Sequence, residues 1–375
     1  MGLDSTLPLA FGLVSLLVLQ LIVVRGKVPM RAVVGLFVVG LAVGVAAVGW
    51  WLAPPRYLPA ASTSGLAVAV AEDIRKGLSA EESPHFLILD GGSYSVRGIN
   101  DVMLEERLSQ EMGSPFEVLA ISIAGGNQLE RWTVLKRAMA LLDAGERERF
   151  AAAQKTLLFE IHAQYDRYPL RQFLENPRSD RAYAYVGLDV LRQALRADHG
   201  DMDRDARMKE WAHAASIATI NFMNIGRATR VVPADKMERG NGYSPLDRPA
   251  NGYQFEGTKA ARQSLKKPAM AVDRVPWRNV ELRRERYETL LGQKPDIVYF
   301  SVPTPRASDL RYVRGFCEGI AEAPCVTHAH WGLLDRLDHA YLWYDSGHLQ
   351  GRGADVYTRW FAARLADALK DEGRP

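Results

Sequence analysis

Clustered charge is the first thing this chain lacks. Its 47 basic and 44 acidic side chains are interspersed and leave a net charge of +3, which excludes a dedicated nucleic-acid binder, whose affinity would rest on grouped cations. Cysteine is nearly absent: Cys317 and Cys325 are the only two, flanking an Ala-Glu-Ala-Pro turn. They suit one local disulfide, with two buried thiols as the alternative, and too few ligands stand nearby for a metal site. Internal repeats and long low-complexity tracts are missing as well. At 375 residues the chain has room for one large domain or two ordinary ones around a buried core.

Lysine and arginine are missing from Met1 to Val24, and every charged residue is missing from Ala32 to Ala53. Residues 7–24 and 32–53 are apolar runs without a polar face, and a bilayer-crossing helix needs about 20 such residues. Trp50 and Trp51 close the second run at the depth where indoles prefer to sit. Arg25, Lys27 and Arg31 lie between the runs and only Arg56 follows closely. The positive-inside bias therefore places the short loop in the cytoplasm and everything after Ala53 outside. Met30-Arg31 as an alternative start would leave a single anchor or signal sequence and the same exported remainder. Residues 1–56 are thus expected to form a membrane anchor, with the main part of the chain periplasmic or extracellular on a bacterial inner (cell) membrane. Residues 57–83 read as a proline-rich linker leading into a domain over 84–375. An oxidising compartment also suits the disulfide.

Within that domain, short apolar runs ending at glycine or proline read as strands. They are His85–Asp90, Phe116–Ile123, Lys155–Ile161, Asp296–Val302 and His339–Tyr344. Helical patterns over 100–113, 129–143 and 353–369 alternate with them, predicting an α/β fold with a parallel sheet covered on both faces. Residues 171–291 interrupt the alternation and read as a polar, partly helical insertion or lid over the site.

Reactive groups in such sheets gather beyond the carboxyl ends of the strands. Ser93, Gly125, His162, Asp345 and His348 all fall just past the end of a predicted strand. An acid three residues before a histidine can hold the imidazole in one tautomer while its other nitrogen faces a cleft. Asp345-Ser-Gly-His348 supplies that half of a triad, and Ser93, behind Gly91-Gly92, is the candidate nucleophile. Three other features carry less. His328 and His330 lack a third metal ligand at a persuasive spacing, Ser301 reads as a strand-end residue shaping the site, and Tyr341, Trp343 and Tyr344 read as core or rim, an exposed one suiting glycan stacking.

With these residues the chain resembles the SGNH (GDSL-like) hydrolase superfamily, in its membrane-anchored cell-envelope branch of DltD-like and alginate O-acetylation proteins. Its first block would be Gly91-Gly92-Ser93-Tyr94-Ser95 followed by Arg97-Gly98-Ile99-Asn100, its second Gly125 or Gly126, and its fifth Asp345 to His348 with Gly353-Ala354 beyond. The third block departs from the family's Gly-x-Asn-Asp: Glu160-Ile-His162-Ala-Gln164-Tyr-Asp166 stands there, with His162 or Gln164 as replacement oxyanion donors. The resemblance implies a three-layer, flavodoxin-like fold. It implies Ser93 as nucleophile, His348 as acid–base and Asp345 as its orienter. The amides of Ser93 and Gly125 or Gly126 would form the oxyanion hole, and no metal or cofactor is required. The expected activity is ester hydrolysis or acyl transfer on O-acyl, chiefly O-acetyl, groups of an envelope or secreted polysaccharide. A membrane-bound O-acyltransferase or polysaccharide synthase is the implied partner. The altered third block motivates a second expectation, a catalytically weak glycan-binding or scaffold subunit.

Overall fold

The computed structural model describes residues 61–163, 166, 187–197, 203–222, 243–250, 252–320 and 322–371, together with Arg31, Gly35 and Gly40. The expected membrane spans fall outside these apart from Gly35 and Gly40. Among the described residues no helix is long and apolar enough to cross a membrane.

In chain order the elements that position the site are α1 (Ala61–Leu78), β1 (His85–Asp90), α2 (Ser93–Gly98), α3 (Asp101–Met112) and β2 (Phe116–Ala120). They continue with α4 (Gln128–Leu141), α5 (Ala144–Ala152), β3 (Lys155–Glu160), α6 (Leu188–Arg196), α7 (Arg204–Phe222) and α8 (Lys259–Ser264). The last are α9 (Trp277–Leu291), β4 (Asp296–Ser301), α10 (Ala307–Gly319), β5 (Cys325–Thr327), α11 (Trp331–Arg336) and α12 (Gly351–Asp371).

The strands form one sheet in the order β2-β1-β3-β4-β5 with every pairing parallel. Successive residues point to opposite faces, and both faces are covered. Phe86, Ile88, Leu119, Leu157, Phe159 and Tyr299 pack beneath α1, α4, α5, α9 and α10. Leu87, Leu89, Val118, Leu158, Val298 and Phe300 pack beneath α3, α11 and α12. That double burial explains why the strands read as continuous apolar runs rather than alternating ones. Each fully buried leucine or phenylalanine in such layers contributes about 1.5–3 kcal/mol. The strand order is one of the two common in doubly wound sheets, and its reversal, between β1 and β3, opens a crevice at their carboxyl ends.

Four boundaries differ from the sequence reading. Residues 61–78, read as linker and lead-in, form α1, whose Ala67, Val70, Ala71 and Ile74 make a buried i, i+3, i+4, i+7 stripe. Residues 277–291, read as the end of the insertion, form α9, whose buried Val280, Tyr287 and Leu291 belong to the core layer on one face of the sheet. The fifth strand is Cys325–Thr327, three residues long. The run 339–344 is instead a 3₁₀ turn at Ala340–Leu342 followed by an antiparallel bridge from Trp343 to Leu349. Cys317, in α10, and Cys325, in β5, are joined by a disulfide with Cα atoms 5.8 Å apart.

Helix α3 carries a titrating group in the core layer. Asn100 caps it by accepting the Met103 N–H at 3.1 Å, and Asp101 follows, 4 % exposed. Burial, reinforced by Asp73 and Glu105, pushes the Asp101 carboxyl from 3.8 up to about 7. A folded value above the unfolded one makes the stabilising contribution complete below about pH 4 and lost as pH rises through 7. Asp101→Asn is therefore expected to gain stability over the wild type progressively between about pH 4 and pH 8 in denaturant titrations. A difference that stays constant with pH would refute the buried titration.

Candidate active site

The turn after β1 cannot accept a side chain at Gly91. A Cβ there would lie 2.0 Å from Ser95 Oγ and 2.8 Å from Glu160 Oε2. The chain therefore folds tightly against the end of β3 and starts α2 at Ser93, which is half-buried. Ser93 Oγ lies 3.0 Å from His348 Nε2. His348 Nδ1 lies 2.9 Å from both oxygens of Asp345. A carboxylate only accepts, so Nδ1 carries the proton and Nε2 is left to accept from the serine hydroxyl.

Asp345 is held by its own loop, accepting the Gly347 N–H at 2.7 Å and the His348 N–H at 2.9 Å. Partial burial pushes its carboxyl up, but the His348 bond and the Gly347 amide outweigh this and leave it below the usual range. The loop closes through the Tyr344 N–H donating to His348 O at 2.8 Å and the Gln350 N–H to Leu342 O at 2.9 Å. The acid–base pair thus stands on a hairpin-like loop, not past a strand end.

Tyr94 supports the imidazole. Its ring stacks on His348 at 5.1 Å and on His162 at 4.9 Å. Gly347 permits this approach, since a Cβ there would come within 2.9 Å of the Tyr94 ring. His162 is buried, its amide donates to Asp166 Oδ2 at 3.0 Å, and burial lowers its pKa. Asp166 also accepts from Tyr312 Oη at 3.0 Å and Gln128 Nε2 at 3.1 Å, and burial pushes it up to about 6. Gln164 lies outside the described residues.

The two candidate oxyanion glycines separate. Gly126 is buried, and its amide donates to Ile123 O at 2.9 Å, closing the turn after β2. Gly125 is exposed with φ of 67°, and among the described residues its amide has no partner. The Ser93 amide, at the start of α2, has none either. The turn that carries Gly125 runs alongside the serine turn, with the Ile123 N–H donating to Gly91 O at 3.1 Å.

Sequence reasoning missed the ionic cluster beneath these turns. Arg131 and Arg283 both bind Asp90, and Tyr287 Oη donates to Asp90 Oδ2 at 2.9 Å. Burial pushes the Asp90 carboxyl up, yet the two guanidiniums outweigh it and the net shift is downward. Arg283 also donates to the carbonyls of Asp90 (2.9 Å) and Glu160 (2.8 Å), and Arg131 to that of Gly126 (3.1 Å). One cluster therefore ties together the ends of β1 and β3 and the glycine turn after β2. The available signal was the i, i+4 pair Arg283/Tyr287 on a helix otherwise full of charge.

A second missed piece lies in the expected insertion. The Ser244 N–H donates to Val96 O at 2.9 Å, and Arg97 Nη1 donates to Ser244 O at 2.6 Å. Farther along, the Ala250 N–H donates to Tyr344 O at 2.8 Å and the Gly351 N–H to Leu246 O at 3.0 Å. Segment 243–250 thus straps the serine helix to the histidine loop.

The remaining candidates have structural partners. His328 Nδ1 lies 2.7 Å from Ser301 Oγ in the core, and burial lowers its pKa to about 4. His330 caps α11 through the Leu333 N–H. Trp343 is fully buried, donating to Leu337 O, while Tyr341 is exposed. Among the described residues no group of three or more His, Cys, Asp or Glu could hold a metal ion. Compared with known protein families and curated protein sequences, the chain matches no family model and no curated sequence.

Proposed function

We propose that the chain is a membrane-tethered, extracytoplasmic serine esterase or acyltransferase of SGNH type, with a flavodoxin-like catalytic domain. The observation that carries this reading is the continuous Ser93–His348–Asp345 hydrogen-bonded chain, assembled from opposite ends of the sequence at the mouth of the sheet's crevice. Ser93 Oγ attacks the acyl carbonyl carbon as its proton passes to His348 Nε2. The oxyanion faces the amides of Ser93 and Gly125. Collapse breaks the C–O bond to the sugar, whose alkoxide takes the proton from His348, and the acyl group stays on Ser93. Water or a second sugar hydroxyl then attacks the acyl-enzyme, giving its proton to His348, and Ser93 is regenerated. Asp345 keeps the tautomer throughout, and these steps call on no metal or organic cofactor.

The sequence supports the setting: the expected anchor at residues 1–56 puts the site beside an envelope or secreted glycan bearing O-acetyl groups, within reach of a membrane-bound O-acyltransferase or polysaccharide synthase. The test uses the full-length protein in lipid nanodiscs with 4-nitrophenyl acetate and with an O-acetylated polysaccharide. The expected result is a nitrophenolate burst of about one per protein, the mark of acyl-enzyme accumulation, followed by acetate release or acetyl transfer to added glycan. Neither burst nor acetyl turnover on either substrate would favour the glycan-binding scaffold reading instead.

A further inference from the structure

We propose that Glu160 is a positioning residue for Ser93, its buried carboxylate fixing the glycine turn from which the serine hydroxyl is presented. The inference rests on the reading of Ser93 given above.

Glu160 ends β3, where its backbone is doubly fixed: it pairs with Phe300 in the sheet, and its carbonyl accepts from Arg283 at 2.8 Å. Its side chain is 4 % exposed and reaches across to the neighbouring turn. There Oε2 accepts the Gly92 N–H and, at 2.9 Å, the hydroxyl of Ser95, itself 1 % exposed. Among the described residues no cation forms an ion pair with it. A buried carboxylate costs far more than an apolar side chain of the same size unless its hydrogen bonds return the difference. Here they do so by satisfying a backbone donor that the helix leaves unused, because α2's own bonds begin with the Val96 N–H to Gly92 O. They also reference the residues on both sides of Ser93 to the rigid sheet instead of to a loop. The space a side chain at Gly91 would need is filled by the same carboxylate and by Ser95. Gly91, Ser95 and Glu160 therefore form one device, whose output is the position of Ser93 Oγ, 3.0 Å from His348 Nε2.

The test follows Ser93 itself. Full-length protein is treated with a fluorophosphonate, which forms a P–O bond to Ser93 Oγ and loses fluoride while the hydroxyl proton passes to His348. The rate of labelling is read beside kcat and KM for 4-nitrophenyl acetate. Glu160→Asp, whose carboxylate stops short of Gly92, is expected to lower labelling and kcat about 100-fold with KM nearly unchanged. Glu160→Gln, whose amide oxygen accepts the same two bonds, is expected to recover both to within about fivefold of wild type. A folded Glu160→Asp variant labelled at the wild-type rate, or a Glu160→Gln variant as slow as Glu160→Asp, overturns the proposal. If Glu160→Asp does not fold, Ser95→Ala decides: a loss of about fivefold supports the device, and a wild-type rate overturns it. Ser93→Ala keeps the two readings apart. Loss of labelling there leaves the role of Ser93 standing whatever the Glu160 variants do, and equal labelling removes both.

Discussion

Ser93→Ala is expected to lower kcat for ester turnover by about 10⁴- to 10⁶-fold while leaving the unfolding transition in place. Ser93 is half-buried, and among the described residues its hydroxyl bonds to His348 alone, so deleting one oxygen removes the proposed nucleophile without opening the core. His348→Ala should cost as much, and the double variant no more than either, because the two groups act as one unit. Asp345→Asn separates orientation from reaction. The amide can donate to Nδ1 and favours the opposite tautomer, leaving Nε2 protonated, and a loss of about 10⁴-fold in kcat is expected. Steady-state kinetics with 4-nitrophenyl acetate reads all four. Additive losses in the double variant would mean that Ser93 and His348 do not share a step.

Arg283→Ala is expected to cost about 3–5 kcal/mol of unfolding free energy. Its side chain is 3 % exposed and faces Asp90 at 0 %. Removing it leaves Asp90 with one cation and strips donors from two buried carbonyls, those of Asp90 and Glu160. A surface arginine such as Arg364, paired with Asp367 at 3.4 Å, should by contrast cost at most about 1 kcal/mol. Denaturant titration of both variants makes the comparison, and similar small costs would show that the cluster is not a structural hub. The sign of the pH dependence is fixed too. Asp90 is held below 3.8 in the folded state, so its contribution is present at neutral pH and lost as pH falls below that value.

What the sequence discloses follows burial. Strands β1 to β4 were legible because parallel strands buried on both faces are written as apolar runs. Ser93, His348 and Asp345 were legible because glycine turns and short acid–histidine spacings are local. Helix α1 was hidden by its composition: its stripe is mostly alanine and valine after a proline-rich stretch, so little hydrophobic contrast marks it. Strand β5 was hidden by its length, and 339–344 mimicked a strand because Tyr341, Leu342 and Trp343 combine β-favouring side chains with a turn. Glu160, Arg131 and Arg283 were passed over for another reason. A charge buried against a partner far away in sequence looks, residue by residue, like a charge in water.

The strap over 243–250 bears on how such a chain can be rearranged. It binds the serine helix at one end and the histidine loop at the other, using main-chain groups at Ser244, Leu246 and Ala250. Any exchange of the expected insertion should therefore leave Ser244 to Ala250 in place. Splices placed within 243–250 would cut a segment that, beside the Ser93–His348 bond and the Tyr94 stack, ties these two parts together. In engineering terms the site is a three-piece module, and the strap has to travel with the triad.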